Sequence, residues 1–227
     1  MTVLHLADEG EAADLAAFLS RLLHYDRSAA VRLQAAGTAL AVFGRPPSFE
    51  VLAVRAVRLA KPYENGLDVT LDVTVSAGEL LEAVDEQPAT AGVPGAVTGP
   101  PWAGVLPPRG GWRPQPGLPA PDALRALVAA AVAEFRSRTG ELAAERRTRA
   151  ELDRIGREIW SRTVGDTGLP VRAVHAAQSL GFLRPGARSA QDAPALFSSG
   201  PWLRLRTPYG SVALRRAGTG ALGLSVR

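Results

Sequence analysis

The clearest pattern in the chain runs from Leu67 to Val75. Leu67, Val69, Leu71, Val73 and Val75 alternate there with Asp68, Thr70, Asp72 and Thr74. A period of two puts the apolar set on one side of a strand and the polar set on the other, so the run predicts a half-buried strand. Just upstream, Leu52, Val54 and Ala56 alternate with Val51, Ala53, Arg55 and Val57, and Pro62 to Gly66 supply a turn. Pairing the two segments across that turn sets Arg55 opposite Asp72, a charge pair that favours this register. Val31 and Leu33 alternate with Arg32 and Gln34, and Gly37 separates them from Thr38 to Phe43, which predicts a hairpin. A helix precedes these strands: Asp8 and Glu11 form a capping box, and Leu15, Phe18, Leu19, Leu22 and Leu23 recur on one face. Ser76 with Glu79 starts another through Leu80, Leu81 and Val84. Residues 1–85 thus read as a helix, a four-stranded antiparallel sheet and a helix.

The C-terminal half changes period. Leu124, Leu127, Val128, Ala131 and Phe135 form a helical stripe between Pro121 and Gly140. A second helix is expected from about Glu141 to Thr163, with Leu152, Ile155, Ile159 and Trp160 inward. Its arginines face carboxylates at i, i+4 in the pairs Glu145–Arg149, Arg147–Glu151, Asp153–Arg157 and Glu158–Arg162. A third helix fits Pro170 to Leu180, closed by Gly181 in a left-handed cap before Phe182. Trp202 to Arg206 and Ser211 to Arg216 then flank Thr207-Pro208-Tyr209-Gly210, a type I turn signature, and Ala195 to Ser198 can add a strand. Pairing across the turn puts Leu203, Leu205, Val212 and Leu214 on one face and Trp202, Arg204, Arg206, Ala213 and Arg215 on the other. The string from Val174 to Leu183 is similar to the first helix and turn of helix-turn-helix modules. Three helices followed by a hairpin resemble a winged-helix module, with Arg204, Arg206, Arg215, Arg216, Trp202 and Tyr209 on the wing.

Between the halves, residues 86–121 hold ten Pro and seven Gly in 36 positions, a density that no ordinary helix or strand survives. Val97, Trp102, Val105, Leu106 and Trp112 punctuate the segment, so part of it is expected to pack as an arm joining the halves. Its Pro100–Trp112 run also suits a polyproline-II ligand for an aromatic groove, with Trp102, Arg109 and Trp112 as anchors. The expected organisation is an acidic α+β domain over 1–85, a partly docked arm over 86–121, a basic helical domain with a β-hairpin over 122–216, and a flexible tail over 217–227.

Composition sharpens this division. Residues 1–100 hold 7 basic and 13 acidic side chains, whereas residues 101–227 hold 19 and 9. Such asymmetry means either a polyanion-binding face or two surfaces that attract each other. Lys61 is the one lysine, a bias that resembles coding by a GC-rich genome. The absence of Cys excludes disulfides, thiolate metal sites and thiol nucleophiles. Nothing at the start resembles a signal peptide and no apolar run is long enough to span a bilayer, so a soluble cytoplasmic protein is expected.

Candidate chemistry adds little to the picture. Asp68 and Asp72 share a strand face, as separated carboxylates do on any half-exposed sheet. His5, His24 and His175 lack a second ligand or nucleophile at working spacing, and prolines interrupt every glycine run that might cradle phosphate. The sequence implies no metal and no cofactor, and its motifs point away from catalysis. The expectation is a non-catalytic binding or adaptor protein whose partner is another protein or a second copy, with DNA or RNA binding through the hairpin as the alternative. An enzyme assembled from distant residues is the third reading.

Overall fold

Helix α1 (Glu9–Tyr25) begins where its sequence signals place it. The Glu11 amide donates to the Asp8 carboxylate at 2.8 Å, and Leu15, Phe18, Leu19 and Leu22 are buried on one side. The structure, a computed structural model, describes residues 2–61, 71–184 and 193–216. The expected turn at 62–66, the first half of the alternating strand with Asp68, most of the loop after Arg184 and the tail lie outside these residues. In chain order the other elements are β1 (Val3–His5), β2 (Ala30–Ala36), β3 (Ala39–Gly44), β4 (Leu52–Arg58), β5 (Leu71–Ser76), α2 (Ala77–Glu82), β6 (Val84–Asp85) and β7 (Thr90–Gly92). After them come β8 (Arg113–Gln115), α3 (Pro121–Gly140), α4 (Arg149–Trp160), α5 (Val171–Ser179), β9 (Ala195–Ser199), β10 (Trp202–Thr207) and β11 (Gly210–Arg215). The protein is α+β with antiparallel sheets.

Eight of the described strands form one sheet in the order β5-β2-β3-β4-β11-β10-β9-β8, and β1, β7 and β6 form a small second sheet. The expected pairing of β4 with β5 does not occur. Strand β5 pairs with β2, placing Asp72 opposite Gln34, and Arg55 lies opposite Val42 of β3. The reason is in β4 itself: Leu52, Ala53, Val54 and Arg55 are all buried, the pattern of a central strand covered on both sides. Its free edge takes β11, with Val54 opposite Ser211, Ala53 opposite Val212 and Leu52 opposite Ala213.

This seam joins the two halves into one sheet over one core. Each half runs from a helix into a three-strand meander, α1 into β2-β3-β4 and α5 into β9-β10-β11, and the third strand of each meets the other antiparallel. The two meanders are thereby related by a rough two-fold axis at the seam. Helix α1 packs on β4 and α5 on β11. Phe18 of α1 stacks on Phe182 after α5 at 5.6 Å between ring centroids. The hairpin β10–β11 is correspondingly no wing. It lies inside the sheet, with Leu203, Leu205, Val212 and Leu214 buried in the common core.

Arg55 pins the same seam electrostatically. It is 5% exposed, and its guanidinium reaches Glu11 at 2.8 Å and Asp14 at 3.3 Å on α1 while donating to the Tyr209 carbonyl at 2.8 Å.

Helix α4 starts later than its charge pattern suggests, because the Glu151 amide donates to Thr148 Oγ1 at 3.3 Å and Thr148 becomes the cap. Among the expected pairs only Glu158–Arg162 is found between described residues, at 3.6 Å. The stronger bonds run between helices instead. Arg138 of α3 donates to both oxygens of Glu158 at 2.7 and 2.8 Å, and Arg162 reaches Glu134 at 2.5 Å. The Arg138 hydrogen bonds hold the Glu158 carboxyl at about 2, and those of Arg162 lower Glu134. An unfolded glutamate titrates near about 4.3. These carboxylates therefore favour the folded state above that pH, and their contribution disappears as pH falls toward 2. Melting temperatures of Arg138→Gln and the unaltered protein are expected to differ most above pH 5 and to converge only as pH falls to about 2. A constant offset across that range would exclude the network as the cause.

Candidate binding surface on the strapped face of the sheet

The sheet buries one face under its helices, so the register fixes what the opposite face presents. One row across it is Arg32, Phe43, Val54, Ser211, Arg206, and its neighbour is Leu52, Ala213, Arg204, Phe197. Phe43, Leu52 and Val54 are apolar residues on a face that alternation alone would leave to water.

The proline–glycine segment covers them. It leaves the β5 edge, where the Val97 amide donates to the Thr74 carbonyl at 2.9 Å. A short 3-10 turn, Pro101–Gly104, follows, and Arg32 donates to the Ala103 carbonyl. Trp102 and Leu106 then pack on Phe43, Leu52 and Val54 in a second, smaller apolar cluster. Farther on, Trp112 Nε1 donates to the Pro108 carbonyl at 3.0 Å and Ser199 Oγ to the Gly110 carbonyl at 3.3 Å. The strap ends as β8, paired with β9. It thus crosses the sheet from one edge to the other. A half-open pocket of about 310 Å³ lies beside the strap on this face of the sheet, with Ala41, Phe43, Val54, Pro107, Arg109 and Arg204 among its walls and exposed Ala39 and Ala56 at its mouth.

Arginines are distributed unevenly around this face. Arg32 is held by Asp72 at 2.7 Å, and Arg58 by Asp8 at 2.9 Å and Glu11 at 2.8 Å. At the other end, Arg113, Arg204, Arg206, Arg215 and Arg216 form no ion pair with any described residue, and Arg109 on the strap forms none either, although it lies near enough to Asp72 to help lower that carboxyl. Residues 87–121 and 193–227, which contain all six, have no acidic side chain. Arg206 is exposed above the Phe197 ring at 5.2 Å, Arg215 is exposed opposite half-buried Trp202, and Arg216 donates to the Gly200 carbonyl at 2.9 Å. Half-buried Arg204 donates to Ser211 Oγ at 2.9 Å and lies 5.6 Å from the Trp112 ring. Burial, with Arg206 adding repulsion, pushes its guanidinium below the usual range.

Tyr209 departs from this group. Its ring lies under Arg184 at 4.0 Å and packs on the helix-side core. The residues expected on the hairpin thus divide: Trp202, Arg204, Arg206 and Arg215 share the strapped face, Arg216 follows at its end, and Tyr209 belongs elsewhere. Strap residues Trp102, Arg109 and Trp112 converge on that face, which their spacing did not indicate. The one available signal was the run of apolar residues on both sides of β4.

His175 stacks on Trp160 at 4.7 Å and meets Phe49 edge-on at 5.1 Å, and burial pushes its imidazole below the usual range. Among the described residues no cluster of three His, Cys, Asp or Glu is placed to hold a metal ion, and no described helix is long and apolar enough to cross a membrane.

Residues 1–104 match a family model described as a domain of unknown function (DUF8010). Residues 107–219 match a second, also described as a domain of unknown function (DUF8185). The two matches adjoin within the strap, so the first takes α1, the β2-β3-β4 meander and the elements through β7, and the second takes α3, α4, α5 and the β9-β10-β11 meander. No curated protein matches the chain.

Proposed function

We propose that the protein is a non-catalytic binding protein that docks an acidic protein surface on the arginine edge of its sheet. The observation that carries this reading is the separation of unpaired charge. Exposed Arg113, Arg206, Arg215 and Arg216 lie beside the β8–β11 end, while exposed Glu79, Glu82, Asp85 and Glu86 follow β5 at the opposite edge without ion pairs among the described residues. Arginine beside half-buried tryptophan is what protein interfaces concentrate at their centres. The acidic edge of a second copy is one such partner. Its docking would be head to tail, with different surfaces meeting.

Light scattering at low ionic strength is expected to show a concentration-dependent rise in mass that salt reverses. The pair Arg206→Glu and Arg215→Glu should weaken association at least about tenfold, and adding Glu79→Arg and Glu82→Arg should restore it. A strict monomer, together with no capture of acidic protein segments, would count decisively against the reading.

Nucleic-acid binding is the second reading, favoured by the same exposed arginines next to Trp202, since guanidinium groups bind phosphate bidentately. It requires affinity for DNA or RNA that falls steeply with salt. Anisotropy titrations without binding at low salt would end it.

A further inference from the structure

Beside the strap, the half-open pocket of about 310 Å³ combines two features that the exposed arginine rim does not explain. Its walls are largely apolar, with Ala41, Phe43, Val54, Ala56, Pro107 and Pro108 among them, and it also takes in Arg204 and Arg109. Arg204 is half-buried, with the Trp112 ring on one side and a hydrogen bond to Ser211 Oγ, and it meets no carboxylate among the described residues. Withdrawing a guanidinium from water without a counter-charge is costly, and every other arginine on the sheet of comparable burial has an acid: Arg55 has Glu11 and Arg32 has Asp72. The volume is at the lower end of the range of small-molecule sites, which are typically apolar with a few fixed polar groups.

We propose that this cavity is a binding site for a small amphiphilic monoanion, a carboxylate with a short hydrocarbon tail. Arg204 receives the carboxylate, Arg109 on the strap adds a second cation, and the tail lies over Ala41, Phe43, Val54 and Ala56. The strap prolines form one wall, so an occupant also ties the strap to the sheet. The site does not depend on the partner reading above, which rests on the outer arginines.

The test uses the full chain and octanoate as probe, with octan-1-ol and octylammonium as controls of the same tail. Calorimetry and tryptophan fluorescence are expected to show saturable octanoate binding, with octanol at least tenfold weaker and octylammonium silent. Arg204→Gln should lower octanoate affinity at least tenfold. Ala41→Trp, which fills the cavity from the sheet side, should abolish binding while leaving Arg204 in place. Arg215→Gln, at the outer rim, should bind as the unaltered chain does, and circular dichroism shows which variants are folded. Octanol binding as tightly as octanoate, undiminished binding by folded Arg204→Gln or Ala41→Trp, or no saturation below the micellar concentration would each overturn the assignment. If octanoate binds while the charge-reversal variants leave mass unchanged, the cavity stands and the partner reading falls.

Discussion

Arg55→Ala is expected to cost about 3 kcal/mol of folding stability, the low end of what removing one partner from a buried ion pair costs. The side chain is 5% exposed and meets three groups from two halves of the chain: Glu11, Asp14 and the Tyr209 carbonyl. Removing it leaves the carbonyl without this donor and opens a void beside two carboxylates. The loss stays at the low end because Glu11 keeps Arg58 at 2.8 Å and Asp14 keeps Arg184 at 2.6 Å. Urea unfolding of Arg55→Ala and Arg55→Met separates the contributions. Methionine restores most of the volume but none of the hydrogen bonds, so it should recover less than half the loss. Full recovery by methionine would show that packing alone matters at this position.

Gly210→Ala is expected to cost about as much for a different reason, about 3 kcal/mol from overpacking. Gly210 opens β11 at φ 153°, and a Cβ there would lie 2.5 Å from the Phe182 ring, which is itself stacked on Phe18. That ring cannot withdraw without unpacking the contact between the two halves. Gly37 supplies the control. Its φ is +56° and an added methyl would meet nothing within 4 Å, so Gly37→Ala carries the backbone penalty alone, about 1 kcal/mol. Equal losses at the two positions in thermal melts would contradict the steric account.

Local chemistry was legible in the sequence wherever it settled the matter by itself. The Asp8 cap, the Ser76 cap, the Gly181 left-handed turn and the inward set Leu203, Leu205, Val212 and Leu214 follow from capping, φ and period two, which need no knowledge of distant residues. Partner choice was not legible. Arg55 and Asp72 each form a charge pair, but with Glu11 and Arg32, because strand order rather than proximity in sequence decides which residues meet. The apolar character of both faces of β4 marked a central strand, yet only β11, far along the chain, explains it. The candidate site was half visible. Arg204 and Arg206 could be placed on one face from the hairpin, whereas the covering of that face by Trp102 and Leu106 depends on the path of a segment without periodicity.

The antiparallel seam between β4 and β11 also bears on synthesis. A ribosome releases β4 long before β11 exists, so the first meander must wait with a short apolar edge open to any other chain. Arg55 is unpaired with Tyr209 during that interval, in which β5, α2 and then the proline-rich strap emerge. Chaperone demand in the cell should therefore track the pause before β11 more than the stability of the finished protein.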